Sequence, residues 1–352
     1  MPVRTAAQGA RSLTAAVICL RALANVAPAY AETMDECLLH AVQSASTTTT
    51  VGELRVLCEQ RQAQIDTTPV QKTETAAATA ADAKGVVEKR LALERYSRDN
   101  PFVLTPHRPN YLLPFSYSTH PDTRPFGEEA DLQHVEVQFQ LSLKVLVAEN
   151  LFGNNGHLSF AYTNHSFWQA YNRATSAPFR ETDHEPELLL TFENDLQLFG
   201  ARNSANQFIL NHQSNGRGGD LSRSWNRVML NSIWEKDNLV LSIEPWYRIP
   251  EDKKKSPDDP EGDDNPDIQK YLGHFELRGI YQVEHGQTIS LMLRNNLHSD
   301  NRGAIEAAYS FGIGETKLRG YLKYFNGYGE SLIDYNHHTQ SFGVGFLISD
   351  WL

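Results

Sequence analysis

No stretch of the 352-residue chain reaches the ~18 consecutive apolar residues of a membrane-crossing helix. A helical membrane protein is thereby excluded, and a β-barrel stays open because barrels cross with short alternating strands. Positive charge is also short. Lys and Arg number 32 against 43 Asp and Glu, a formal net charge of −11, which argues against nucleic acid as a partner. Much of the acid sits in loops such as "EDKKKSPDDPEGDDNPD" and reads as solvated charge. Cysteine is scarce, with three residues. Cys19 falls in a stretch that reads as an export signal, leaving Cys37 and Cys58 as an even pair able to join in an oxidising compartment. Two free thiols are the competing reading; cysteine catalysis is not expected, since neither residue neighbours a His cluster.

The N-terminus has the three regions of a secretory signal: Arg4 and Arg11, the apolar core "SLTAAVICL", and Ala29-Tyr30-Ala31 as a cleavage site. Arg21 interrupts it. Residues 1–31 are the expected signal peptide, and 32–65 a helical hairpin in which Thr50 and Glu53 have capping-box spacing. Residues 66–99 read as an Ala/Thr-rich linker with a short helix. A larger domain follows over 100–352.

In that domain the hydrophobic period becomes two. Val135, Val137, Phe139, Leu141, Leu143, Val145 and Val147 alternate with Glu136, Gln138, Gln140, Ser142 and Lys144, with one break at Leu146. Such length exceeds the usual globular strand of about 5–6 residues and suits a transmembrane strand of about 9–11. Similar segments separated by Gly, Asn and Asp turns give about twelve strands. Aromatics such as Trp168, Trp234, Trp246 and Tyr247 lie near strand ends, as interfacial girdles do. The predicted fold is all-β, an antiparallel transmembrane barrel with its apolar face outward. A soluble lipocalin-like barrel would have the opposite polarity. Glu136, Lys144, Glu193 and Arg227 face inward with mixed charge, so they are able to pair and fill the lumen.

One strand breaks the polarity rule. In "LNHQSNGRGGDLSRSWNR", His212 and Ser214 share the parity of Phe208 and Leu210. Side chains two apart lie on one face about 6.5–7 Å apart, near enough for an imidazole to reach a hydroxyl. Asn226 shares parity with Val228 and Leu230 on the next strand, and no carboxylate occupies a matching position. Polar groups on hydrocarbon are costly unless paired, and these three are placed to pair with one another.

The run "NHQSNGRGGDLSRSWNR", with "SAPFRETDHEPELLLTF", "EPWYRI", "DDNPDIQKYLG" and "GYGESLIDYN" in order, resembles the outer-membrane phospholipase A family over about 100–352. The resemblance implies a twelve-stranded barrel in the bacterial outer membrane, hydrolysing phospholipids and lysophospholipids (A1/A2-type), with barrel-insertion machinery as a biogenesis partner. It assigns Ser214 as nucleophile, His212 as base, Asn226 as orienter of His212, and the Gly216 N–H as an oxyanion donor. It implies Ca²⁺ held by the carbonyls of Arg217 and Ser222 and by Ser176 of a second subunit, and activity as a homodimer. Asn164 stands where the family often has Gln in the dimer seam, and is expected to pair across it. "GGD" replaces the family's "SDP", moving the acid to Asp220 and putting any secondary calcium site in doubt. A passive barrel and a lipid acyltransferase are the alternatives. His337 and His338 read as solvated, and "DDPEGDD" lacks EF-hand spacing.

Overall fold

The computed structural model describes residues 37, 41, 50–59, 85–97, 104–127, 130–256, 259, 261–283, 286–316 and 318–350. The expected signal peptide, residues 66–84 of the linker, most of the hairpin and Trp351 lie outside them. The chain divides into two compact units, 1–75 and 76–352.

In the first unit, residues 51–59 are helical and Cys37 is joined to Cys58, with Cα atoms 5.9 Å apart. Both cysteines are buried with Leu54. The helix starts as its sequence dictates. Glu53 Oε2 accepts from Thr50 N at 2.8 Å and Thr50 Oγ1 accepts from Glu53 N at 3.4 Å, reciprocally satisfying two donors at the helix start.

The second unit is a closed antiparallel barrel. After a two-residue pairing, β1 (Thr105–Pro106), come β2 (Asn110–Ser118), β3 (Val135–Ala148), β4 (His157–Trp168), β5 (Phe179–Leu198), β6 (Ala201–Ser214) and β7 (Ser224–Lys236). The circuit continues through β8 (Leu239–Arg248), β9 (Phe275–Val283), β10 (Gln287–Asn295), β11 (Gly303–Gly312), β12 (Arg319–Tyr328) and β13 (His338–Ser349). Each strand from β2 to β13 pairs with its chain neighbours, and β13 pairs with β2, closing twelve strands without an edge. The outer wall is apolar, with Leu141, Phe160, Leu210, Ile243 and Phe346 exposed. The expected polarity holds.

Inside, charge meets charge. Arg180 pairs with Glu136 at 2.9 Å and Asp334 at 2.5 Å, and Arg227 with Glu185 at 2.9 Å. The short helix α1 (Val86–Ser97) does not hang in a linker: it packs in the lumen. Val87 and Leu91 touch Val240, Ile280 and Ile233, and Lys144 Nζ reaches Glu94 Oε2 at 2.8 Å. The Glu235 carboxylate accepts from Val87 N at 3.2 Å, placing negative charge at the helix N-terminus where the dipole favours it.

The loop 329–337 closes the other end. Ser331, Leu332, Ile333, Asp334 and Tyr335 are all buried. Leu332 N donates to Asp183 at 3.1 Å and Ile333 N to Glu181 at 3.1 Å. His338 is exposed as expected, but His337 Nε2 donates to His120 O at 3.0 Å and ties two loops together. A cavity of about 230 Å³ remains between α1 and this loop.

Arg180→Met leaves Glu136 and Asp334 buried without their shared cation, a change worth about 3–5 kcal/mol. A lower temperature for loss of the folded, heat-modifiable gel mobility is the expected result.

Candidate active site

Strand β6 carries His212 and Ser214 outward because its alternation continues to the last residue: Phe208 and Leu210 are each 53% exposed on the same face. Inward, Asn211 and the β7 residues Trp225 and Arg227 are buried. The Arg227 guanidinium stacks 4.0 Å from the Trp225 ring and donates to Asn211 Oδ1 at 3.0 Å. Trp225 Nε1 donates to Gln213 Oε1 at 2.8 Å. These contacts lock β6 to β7 from behind.

The lock sets the register on the outside. His212 stands opposite Asn226 and Ser214 opposite Ser224. His212 Nδ1 and Asn226 Oδ1 are 2.8 Å apart; since the amide oxygen only accepts, Nδ1 carries the proton and donates. Nε2 is then the basic nitrogen. Among the described residues no hydrogen bond joins His212 to Ser214; their nearness rests on the two-residue spacing along one face.

The loop 215–223 is held by a residue the motif contains but parity does not flag. Asn215 is buried; its Nδ2 donates to Glu181 at 2.9 Å and Leu221 O at 2.8 Å, and its Oδ1 accepts from Arg223 N at 3.0 Å. Gly216 has φ +63°, a conformation that disfavours any side chain. The Arg217 side chain turns to Glu181 at 3.1 Å. Ser222 Oγ donates to Asp264 Oδ2 at 2.8 Å, and Ser224 Oγ to the same oxygen at 3.1 Å. Asp264 is itself paired with Lys254 at 2.5 Å, so this part of the acidic run braces the loop instead of being solvated. Near the same loops Tyr335 donates to Asp267 Oδ1 at 2.7 Å, and burial together with that carboxylate pushes its phenol well above the ordinary range.

The loop oxygens suit a hard cation. The oxygens gathered at Ser222 are its own carbonyl and hydroxyl, Ser224 Oγ and the Asp264 carboxylate, the kind of donors Ca²⁺ takes. The carbonyl is engaged: Ser222 O accepts from the Arg223 guanidinium at 2.6 Å, a bond an ion there would displace. Ser176 is exposed on the loop 169–178 with φ +61°.

Two further residues share the outer wall. His184 stands opposite Ser214 on one side and Asn164 on the other, and its Nδ1 lies 2.6 Å from Tyr162 Oη. The Asn164 amide is not wholly unpaired, as parity alone suggested. Its Oδ1 accepts from Ser166 Oγ at 3.0 Å, while its Nδ2 has no partner among the described residues.

A closed barrel with an apolar outer wall and a His, Ser and Asn cluster on that wall is an outer-membrane protein with its polar site turned to lipid. A phospholipase A1 family model matches residues 87–348, reaching back into α1, ahead of the boundary at about residue 100 taken from the sequence. Phospholipase A1 of Klebsiella pneumoniae is 37% identical over 256 residues, covering 72% of this chain and 84% of that protein. Phospholipase A1 of Escherichia coli is 34% identical over 278 residues, covering 76% and 89%. Among solved structures, the Salmonella typhi outer membrane phospholipase dimer with bound calcium superposes with TM-score 0.65 at 34% identity, over 72% of this chain and 95% of that one. The chain belongs to the phospholipase A1 family, and it is an outer-membrane phospholipase.

Gly216→Ala forces an alanine into a left-handed conformation at about 1–2 kcal/mol and is expected to lower fatty-acid release. Gly218→Ala, at φ −115° with nothing within 4 Å of a new Cβ, should leave release unchanged.

Proposed function

We infer that the enzyme hydrolyses acyl esters of phospholipids and lysophospholipids, of A1 and A2 type, with Ser214 as nucleophile, His212 as general base and Asn226 as orienter. The observation that carries this reading is the 2.8 Å contact from His212 Nδ1 to Asn226 Oδ1 on the lipid-facing wall, on the strand that bears Ser214. A serine hydroxyl is a weak nucleophile until a base takes its proton. Nε2 accepts that proton as Ser214 Oγ attacks the ester carbonyl, and Asn226 stabilises the imidazolium through Nδ1. The Gly216 N–H donates to the developing oxyanion, a contribution of about 2.7–4 kcal/mol for such a donor. His212 returns the proton to the departing alcohol oxygen of the lipid. It then deprotonates the water that releases the fatty acid from Ser214.

Calcium would be held by the carbonyls of Arg217 and Ser222 with the hydroxyl of Ser176 contributed by a second copy of the chain. When bound it supplies electrostatic polarisation of the ester oxygen. The similar Salmonella typhi structure is a dimer with bound calcium, which supports extending both properties to this chain. In the proposed homodimer Asn164 pairs across the seam, a bond worth about 0.6–2 kcal/mol in a membrane. Substrate shared by two copies would favour the dimer by differential binding. Export with cleavage after Ala31 and insertion by barrel-assembly machinery complete the reading.

Fatty-acid release from mixed micelles, with and without EDTA, tests it. Ser214→Ala is expected to lose at least about 10³-fold in rate while keeping the folded gel mobility. Release untouched by that substitution would sink the assignment. Crosslinking in detergent with calcium and a substrate analogue should give dimers that Asn164→Ala weakens; monomers alone in the parent protein would refute the dimer.

A further inference from the structure

The site on the wall has a neighbour that no strand parity reveals. Glu251 belongs to the loop after β8, whose course past β7 is fixed by Ile249 N donating to Asn226 O at 2.8 Å. Asn226 Nδ2 donates to Glu251 Oε1 at 2.9 Å, while Asn226 Oδ1 accepts from His212 Nδ1 at 2.8 Å. Imidazole, amide and carboxylate therefore stand in line.

The order of those groups has a chemical consequence. A primary amide has an acceptor end and a donor end of nearly the same shape, and only its neighbours decide which way it faces. An ionised carboxylate accepts and never donates. Facing Nδ2, it keeps Oδ1 toward His212, which holds the proton on Nδ1 and leaves Nε2 as the base. Reversed, the amide would present Nδ2 to Nδ1 and drive the proton to Nε2, so that no base faced Ser214. In a serine protease the wrong tautomer costs about 10⁴ in kcat. The carboxylate also places negative charge behind an amide whose oxygen must stabilise an imidazolium, and hydrogen bonds in such chains polarise one another.

The geometry points to Glu251 as a positioning residue of this site: it fixes the orientation of Asn226 and, through it, the tautomer of His212. This rests on the roles proposed above for Ser214, His212 and Asn226. Glu251 touches no reacting atom, so its effect belongs in kcat and not in KM.

The test is a double-mutant cycle on the full chain, with a synthetic lysophospholipid in micelles and calcium present. Glu251→Gln on the parent background admits both amide orientations and removes the charge, and is expected to lower kcat about 10-fold with KM unchanged. Asn226→Asp replaces the amide by a carboxylate that accepts from Nδ1 either way round, but sets it against Glu251. On that background Glu251→Gln relieves the repulsion and should raise kcat. A residue that merely braces its loop would give the same loss on both backgrounds, and that result overturns the proposal. So does a parent-background Glu251→Gln with normal kcat. Glu251→Ala, checked for folded gel mobility, should lose at least as much as Gln; full activity there is a third refutation. Ser214→Ala run alongside separates the two levels. If it stays active, the catalytic reading falls and the proposal with it; if it is dead while Glu251→Gln is normal, only the role of Glu251 falls.

Discussion

Water is missing on one side of this wall, and that absence governs the rest. Backbone groups within hydrocarbon must be satisfied internally, and a closed ring of twelve antiparallel strands does so. Side chains face the same demand. The outer wall is largely apolar, and the polar groups it carries on β4 to β7 partner one another: Asn164 with Ser166, Tyr162 with His184, His212 with Asn226. A lone polar group on this surface would be expensive; a small network is tolerated. The chemistry proposed for Ser214 thus sits in the only kind of polar cluster such a wall accepts.

The inner face solves the opposite problem. Buried charges without partners would unfold the barrel, so the lumen is filled with pairs, with α1 and with the loop 329–337. These elements reach the outer site indirectly. Arg227 joins Trp225, Asn211 and Glu185 across β7, β6 and β5, fixing the register that puts His212 opposite Asn226. Glu181 does the same for the loop, accepting from Asn215 and Arg217 on one side and from Ile333 N on the other. A wall site of three small side chains needs such backing, because lipid offers no rigid second layer.

Period-two alternation made the barrel legible residue by residue, since a strand has one inward and one outward choice per position. It showed His212, Ser214 and Asn226 on the lipid face for the same reason. The Cys37–Cys58 pairing was open to counting alone. What the sequence concealed comes from loops, where no period tells which distant strand a residue meets. Glu251 and Asp264 looked like solvated acid because they lie in a charged run; in the fold one meets Asn226 and the other Ser222 and Ser224. In "SLIDYN" the Asp and the Tyr find partners far away in the chain, on β5 and in the loop 249–274, while Ser331 turns back to Asp334 three residues on. Short α1 has no marked amphipathic stripe, and its place in the lumen follows from Glu94 and Val87 meeting residues on other strands.

The register also bears on why two copies would be needed. Asn164, His184 and Ser214 stand in one row across β4, β5 and β6, so the proposed seam and the nucleophile are neighbours on the wall. A barrel wall is convex and grips only one side of an acyl chain; a second wall facing it would supply the other. Two apolar walls in hydrocarbon gain nothing from the hydrophobic effect, because lipid tails are as apolar as leucine. Association then depends on the few polar groups that lack a partner within one chain, such as Asn164 Nδ2, and on ligands that both copies hold at once. A lone chain on this reading is inactive because its site is unfinished, not because anything blocks it. On that same proposal the switch would be the arrival of the lipid that the site consumes.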